Sequence, residues 1–291
     1  MPESAPTRIE EVSTEPDLFF ILGCQRSGTT LLRLVLDSHP QVLCFDELES
    51  YAVLKSYSQL GRSALPGVPQ RVGFKIPRWT EQFMDPEFRD EGQPEICRNF
   101  YRREKILFLV RDVRDVVVSM KKLKVGSAGT WLEFWPPRIL LCKLVRNPYF
   151  QQRYRRELAI LSETEDSMTA IAALYWTYKT RAIFDYLETG FPVLPLFYDD
   201  LVREPRRTLG AVCAHLEIDW DERMLAHHEL EHRELLPDGS TVGGTDPKAR
   251  ISTRAVNQWE GTLTAQELAI IEDIAGETAQ QSETLRHPSA T

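Results

Sequence analysis

At 291 residues the chain is long enough for one large α/β domain or two small ones. Its 42% hydrophobic and 27% charged residues are ordinary for a globular protein. The net charge of −8 gives no global field for nucleic acid or an anionic membrane surface, so an anion site must be built locally.

Residues 1–16 are polar and acidic and read as a disordered N-terminus without the apolar run of a signal peptide. Residues 17–280 read as a single domain, and 281–291 as a disordered tail. Apolar runs that suit buried strands fall at 18–22, 41–45, 72–76, 105–110 and 192–197. Helical patterns lie between most of them, which predicts an α/β fold: one parallel sheet of about five strands flanked by helices on both faces. The helices are expected at 28–37, 114–122, 167–190, 204–218 and 264–276. Gly190 ends the longest, Pro205 suits a first turn, and Thr264 with Glu267 forms a capping box. Residues 51–70 and 236–252, rich in Gly, Ser, Pro and polar residues, read as mobile loops. Residues 123–165 break the rhythm and read as a helical lid.

The stretch "FFILGCQRSGTTLLRLVLDSHPQVLCFDE" begins like a phosphate loop of the P-loop type: strand, Gly23, four residues, Gly28, then Thr29 and Thr30 opening a helix. The lysine that grips a γ-phosphate is missing, because Thr29 stands in its place. A glycine turn into a helix still aims backbone N–H groups and a helix dipole at an anion. Arg26 adds a fork of donors and the threonines add hydroxyls. The strand "KILFLV" runs into Arg111, a cation, where an ATPase would place a carboxylate for Mg²⁺. The loop therefore suits a nucleotide with a single 5′-phosphate group and no bound metal.

"QRSGTTLLRLVLDSHPQV" resembles the 5′-phosphosulfate loop of sulfotransferases that use 3′-phosphoadenosine 5′-phosphosulfate (PAPS). "KILFLVRDVRDVVVSM" resembles that family's second signature, a strand ending in Arg with Ser eight residues later. The pattern is most similar to tyrosylprotein sulfotransferases and bacterial enzymes like them, and spans residues 18 to about 270. The resemblance implies that Arg26, Ser27, Gly28, Thr29 and Thr30 hold the 5′ side. It implies that Arg111 and Ser119 bind the 3′-phosphate, and that adenosine 3′,5′-bisphosphate is the product.

Sulfuryl transfer to a hydroxyl needs a base for the acceptor proton and cations for the transferring oxygens. Glu47 follows the strand 41–45, where parallel-sheet enzymes carry active residues, and matches the family's glutamate base. Asp46 and Glu49 are neighbours that could share the role. Lys75 in "GFKIPR" matches the family's lysine before a proline, with Arg78 as a nearby alternative. By the same resemblance Arg254, in "ARISTRAVNQWEGTL", reaches the 3′-phosphate, and Arg250, Ser252 and Lys122 are further candidates.

Other features read as structural. His39 looks like a helix-ending residue, and His227, His228 and His232 look like surface histidines without a clear metal-ligand set. The acids of "FYDDLVREP" fix a turn, and Tyr175, Trp176 and Tyr178 belong to a core. Trp131, Phe134, Trp135, Tyr149 and Tyr154 could line an acceptor pocket in the lid or form its own small core. The five scattered cysteines suit a reducing compartment, and no apolar run reaches membrane-spanning length, so a cytoplasmic protein is expected. The partners are then PAPS and a hydroxyl-bearing acceptor of open class, with no nucleic acid and no membrane span. A P-loop nucleotide kinase and a non-catalytic nucleotide-binding module share the fold and stay as alternatives.

Overall fold

The computed structural model describes residues 17–60, 71–80, 104–123, 145–164, 167–232 and 245–286. Five strands form one sheet: β1 (Asp17–Gly23), β2 (Val42–Phe45), β3 (Arg71–Lys75), β4 (Lys105–Val110) and β5 (Val193–Phe197). Their order is β2-β3-β1-β4-β5 and every pairing is parallel. The helices are α1 (Thr29–Asp37), α2 (Glu47–Leu60), α3 (Val113–Lys122), α4 (Pro148–Arg153), α5 (Arg155–Glu163), α6 (Met168–Glu188), α7 (Tyr198–Arg203), α8 (Pro205–Leu216) and α9 (Ala265–Thr284).

The strand period divides the core into two layers. Phe20 and Leu22 of β1 pack on one face with residues of α3, α6 and α9, while Phe19 and Ile21 pack on the other with residues of α1 and α8. Both faces of the sheet are covered, as its continuous apolar strands require. The chain leaves β1 toward β2 and β3 on one side and returns to β4 on the other. That reversal opens a crevice at the carboxyl ends of β1 and β4, the usual ligand position in such sheets. The five-stranded parallel sheet flanked by helices is the fold read from the sequence.

Three stretches differ from the sequence reading. Residues 51–60, expected in a loop, continue α2 and bury Leu54 in the core; residues 61–70 lie outside the described residues. An apolar residue at one helical position was too little signal among the polar ones. The last helix runs to Thr284, past the expected boundary at 280, and Arg286 pairs with Asp200 and Glu283. Within the expected lid, residues 148–163 form two helices packed on α6. Phe150 and Tyr154 are buried there, with Phe150 edge-on to Tyr178 at 5.8 Å, and Arg153 meets Asp185 at 2.8 Å. Tyr149 is exposed. The remainder of that expectation, including Trp131, Phe134 and Trp135, lies outside the described residues.

Candidate active site

The loop after β1 turns on Gly28, whose φ of 95° lies in the left-handed region. A Cβ there would sit 2.4 Å from the Tyr198 ring, so only glycine fits. No side chain caps the first turn of α1, which leaves its N–H groups to an outside acceptor. Arg26 also holds a left-handed φ of 75°, a costly conformation for a side chain with a Cβ, and one concentrated at functional loops.

Arg26, Gly28, Thr29 and Thr30 line a cavity of about 410 Å³ together with Arg111, Ser119 and Tyr198. Arg26 donates from Nε to the Ser119 hydroxyl at 3.0 Å. Burial, with the Arg111 charge beside it, lowers the Arg26 guanidinium to about 10, so it stays charged at neutral pH. Arg111 donates to the Arg26 carbonyl at 2.9 Å and to the Ala255 carbonyl, and its guanidinium lies 4.5 Å from the Tyr198 ring centroid. The Ser27 hydroxyl and Arg111 Nε are buried without a hydrogen-bond partner among the described residues. Orphaned donors beside an uncapped helix start fit an anionic nucleotide. Both phosphate signatures thus face one cavity.

The segment 245–258 forms the far wall through Asp246, Ala249, Arg250, Ser252 and Gln258. Asp115 anchors it, accepting from the N–H groups of Asn257 at 2.9 Å and Trp259 at 3.2 Å. Lys122, Arg250 and Ser252 line the cavity, whereas Arg254 does not. A single 3₁₀ turn, Thr253–Ala255, sends the Ala255 carbonyl to Arg111 and leaves Arg254 exposed.

Glu47 opens α2 directly after β2 and is 4% exposed. Its Oε1 accepts from Gln25 Nε2 and from the Tyr51 hydroxyl, both at 3.2 Å, with Arg78 Nε at 3.8 Å. Its Oε2 faces Lys75 Nζ at 3.7 Å. Lys75 ends β3, is 2% exposed, and donates to the Thr30 hydroxyl at 3.0 Å. Burial lowers the Lys75 ammonium, and the Glu47 carboxylate offsets part of that. Thr30 therefore links the Glu47–Lys75 pair to the cavity. Asp46 is engaged elsewhere: its Oδ1 accepts from the Glu49 N–H at 2.8 Å as the cap of α2. Glu49 is exposed.

Sequence reasoning missed Gln25, Tyr51, Asp115 and Tyr198 as members of the site. Tyr198 follows β5 at its carboxyl end, and that position alone could have marked it. The aromatic residues of α6 are core, yet they also fix the site: Tyr175 donates to Gln25 Oε1 and Trp176 Nε1 donates to the Arg111 carbonyl. His39 is buried with Nε2 2.8 Å from the Asp219 carbonyl, a structural tie. The histidine expectation is corrected: His227 is fully buried and the His232 side chain nearly so, rather than on the surface. A short 3₁₀ turn, His227–Glu229, tucks that ring under its neighbours, with His228 and His232 ring centroids 5.7 and 6.2 Å away.

No described helix is long and apolar enough to cross a membrane. A profile of the sulfotransferase family matches residues 16–222. Protein-tyrosine sulfotransferase 2 of Gallus gallus is 26% identical over 281 residues, which cover 86% of this chain and 65% of that protein. Protein-tyrosine sulfotransferase 1 of Danio rerio is 27% identical over 271 residues, 84% of this chain and 66% of that one. The chain therefore spans about two thirds of these two relatives. In fold it matches a sulfotransferase domain from the curacin biosynthetic pathway with a TM-score of 0.54 at 16% identity, covering 92% and 98% of the two chains. A mouse sulfotransferase complexed with PAP gives 0.52 at 16% identity, covering 93% and 86%. With a family profile matched across most of its length and the corresponding fold, the chain belongs to the sulfotransferase family.

Proposed function

We propose that the protein transfers the sulfuryl group of PAPS to an acceptor hydroxyl, with Glu47 as general base. One observation carries the reading: Lys75 bridges the nucleotide loop, through Thr30, to the buried Glu47 carboxylate. The acceptor oxygen attacks sulfur in line, and its proton passes to Glu47. The bond from sulfur to the bridging phosphate oxygen breaks, and that oxygen leaves with the electron pair as part of adenosine 3′,5′-bisphosphate. Lys75 places positive charge where the sulfuryl oxygens and leaving group gain negative charge. Arg26 and the α1 N-terminus serve the 5′ side, Arg111 and Ser119 the 3′-phosphate, and the Arg250–Gln258 segment covers the nucleotide. No metal enters this mechanism, because Arg111 stands where a kinase would need a carboxylate.

The similarity to protein-tyrosine sulfotransferases favours a peptide tyrosine as the acceptor. Incubation with PAPS and a panel of a tyrosine peptide, a sugar, a lipid alcohol and a small phenol, read by mass spectrometry, tests both points. A gain of one SO₃ group on the peptide is expected. Sulfation of another class alone would replace the acceptor assignment. Glu47→Gln should lower turnover by about 10²–10⁴-fold and leave nucleotide affinity nearly intact. Near-full turnover in that variant would remove Glu47 from the mechanism.

A further inference from the structure

A general base is useful only if its oxygen is held where the acceptor proton arrives, and a glutamate has three rotatable bonds with which to miss. We propose that Gln25 and Tyr51 are positioning residues that brace Glu47 through Oε1 and reserve Oε2 as the proton-accepting oxygen. The proposal rests on the reading of Glu47 as the base.

The two carboxylate oxygens have different surroundings. Oε1 accepts two hydrogen bonds from neutral donors, Gln25 Nε2 and the Tyr51 hydroxyl, each at 3.2 Å. Oε2 forms an ion pair with the Lys75 ammonium at 3.7 Å, beyond hydrogen-bond length, and the hydrogen bond that ammonium makes goes to Thr30 at 3.0 Å. Two neutral donors fix the carboxylate in place without setting a further charge in contact with it. Arg78, at 3.8 Å from Oε1, stands outside that contact.

The brace reaches down into the core. Tyr175 is fully buried on α6, edge-on to Tyr178 at 5.3 Å, and its hydroxyl donates to Gln25 Oε1. A phenol proton on the amide oxygen dictates which end of the Gln25 amide faces Glu47: the NH₂ donor. Tyr51 lies one turn along α2 from Glu47, the spacing at which helix side chains meet. Its burial, with the Glu47 charge beside it, holds the phenol well above its ordinary range and keeps it a donor. Gln25 also adjoins Arg26 in the nucleotide loop, so one loop sets both the anion site and the base.

The test compares Gln25→Leu, Tyr175→Phe, Glu47→Gln and the Gln25→Leu/Glu47→Gln double variant. Rates are read with PAPS and two acceptors, a tyrosine peptide and the more acidic 4-nitrophenol. Gln25→Leu should lower kcat on the peptide about 10- to 100-fold with the KM for PAPS unchanged. Tyr175→Phe should lower it in the same sense, by less. The deficit should shrink with 4-nitrophenol, which needs little base assistance, and should vanish in the Glu47→Gln background. Wild-type kcat in Gln25→Leu beside an impaired Glu47→Gln overturns the brace while sparing the base. Equal losses in both backgrounds also overturn it, since Gln25 would then support only the fold. An unimpaired Glu47→Gln overturns the base reading itself. If neither probe is sulfated, the crystal structure of Gln25→Leu decides. A Glu47 carboxylate turned toward Lys75 or Arg78 supports the brace, and an unmoved one overturns it.

Discussion

Arg26 donates its Nε–H to the Ser119 hydroxyl at 3.0 Å, joining two turns 93 residues apart in the chain. One residue was assigned to the 5′ side of the nucleotide and the other to its 3′-phosphate, yet they share a contact. A ligand carrying phosphates at both ends of the ribose engages both turns together. Adenosine 3′,5′-bisphosphate should therefore raise the melting temperature more than ADP does at equal concentration, by mass action on the folded state. Ser119→Ala should shrink the gap between the two ligands. Equal stabilisation by both in the wild type would remove the 3′ assignment.

Arg111 ties three segments together: the Arg26 carbonyl, the Ala255 carbonyl and the Tyr198 ring. Its loss should act on the covering segment as well as on the ligand. Arg111→Ala should weaken adenosine 3′,5′-bisphosphate about ten- to hundredfold, the scale of one charge-assisted contact of about 1.5–3 kcal/mol. It should also speed amide exchange across residues 255–259, read by hydrogen–deuterium exchange without ligand. Weakened binding with unchanged exchange would show that Asp115 holds that segment alone.

The sheet was legible because each strand is a short, nearly continuous apolar run and because α1, α3 and α6, which lie between strands, carry a recognisable helical period. That the two turns line one cavity was legible because glycine, arginine and hydroxyls at fixed spacing have few structural alternatives. The brace on Glu47 was not, since Gln25, Tyr51 and Tyr175 come from three segments that meet only in the folded chain. Arg254 shows what spacing leaves open. Its type and position fit an anion contact, while the 3₁₀ turn Thr253–Ala255 leaves its side chain exposed outside the cavity lining. The histidines differ for a related reason: a polar triplet in sequence carries no sign that the backbone turns the His227 and His232 rings inward.

Asp46, beside the proposed base, has a structural task of its own. Its Oδ1 caps α2 through the Glu49 N–H at 2.8 Å. Asn keeps an acceptor at that place, so Asp46→Asn should leave turnover and melting temperature near wild type. Asp46→Ala removes the cap and should cost about 0.5–2 kcal/mol in a denaturation curve while nucleotide affinity persists. A larger loss of turnover in Asp46→Asn than in Glu47→Gln would transfer the base role to Asp46.

His227 makes the fold sensitive to mild acid. The ring is fully buried, and burial lowers its pKa to about 4, with the neighbouring His232 and His228 rings acting in the same direction. Around them, His232 Nδ1 lies 3.5 Å from Asp37, while His228 Nε2 accepts from Arg250 at 3.1 Å and lies 3.5 Å from Glu229. The unfolded chain takes up this proton near pH 6.5, whereas the folded chain resists until about 4. Between those values the unfolded state binds more protons, so stability falls as the pH falls, by up to about 1.4 kcal/mol per pH unit for one proton. Below about 4 the contribution stops changing, because both states are protonated there. Urea denaturation from pH 7.5 to 4.5 on wild type and His227→Leu measures the effect. Leucine cannot protonate, so the variant should lose stability less steeply with acid, whatever its stability at neutral pH. Parallel slopes in the two proteins would assign the acid sensitivity to other groups.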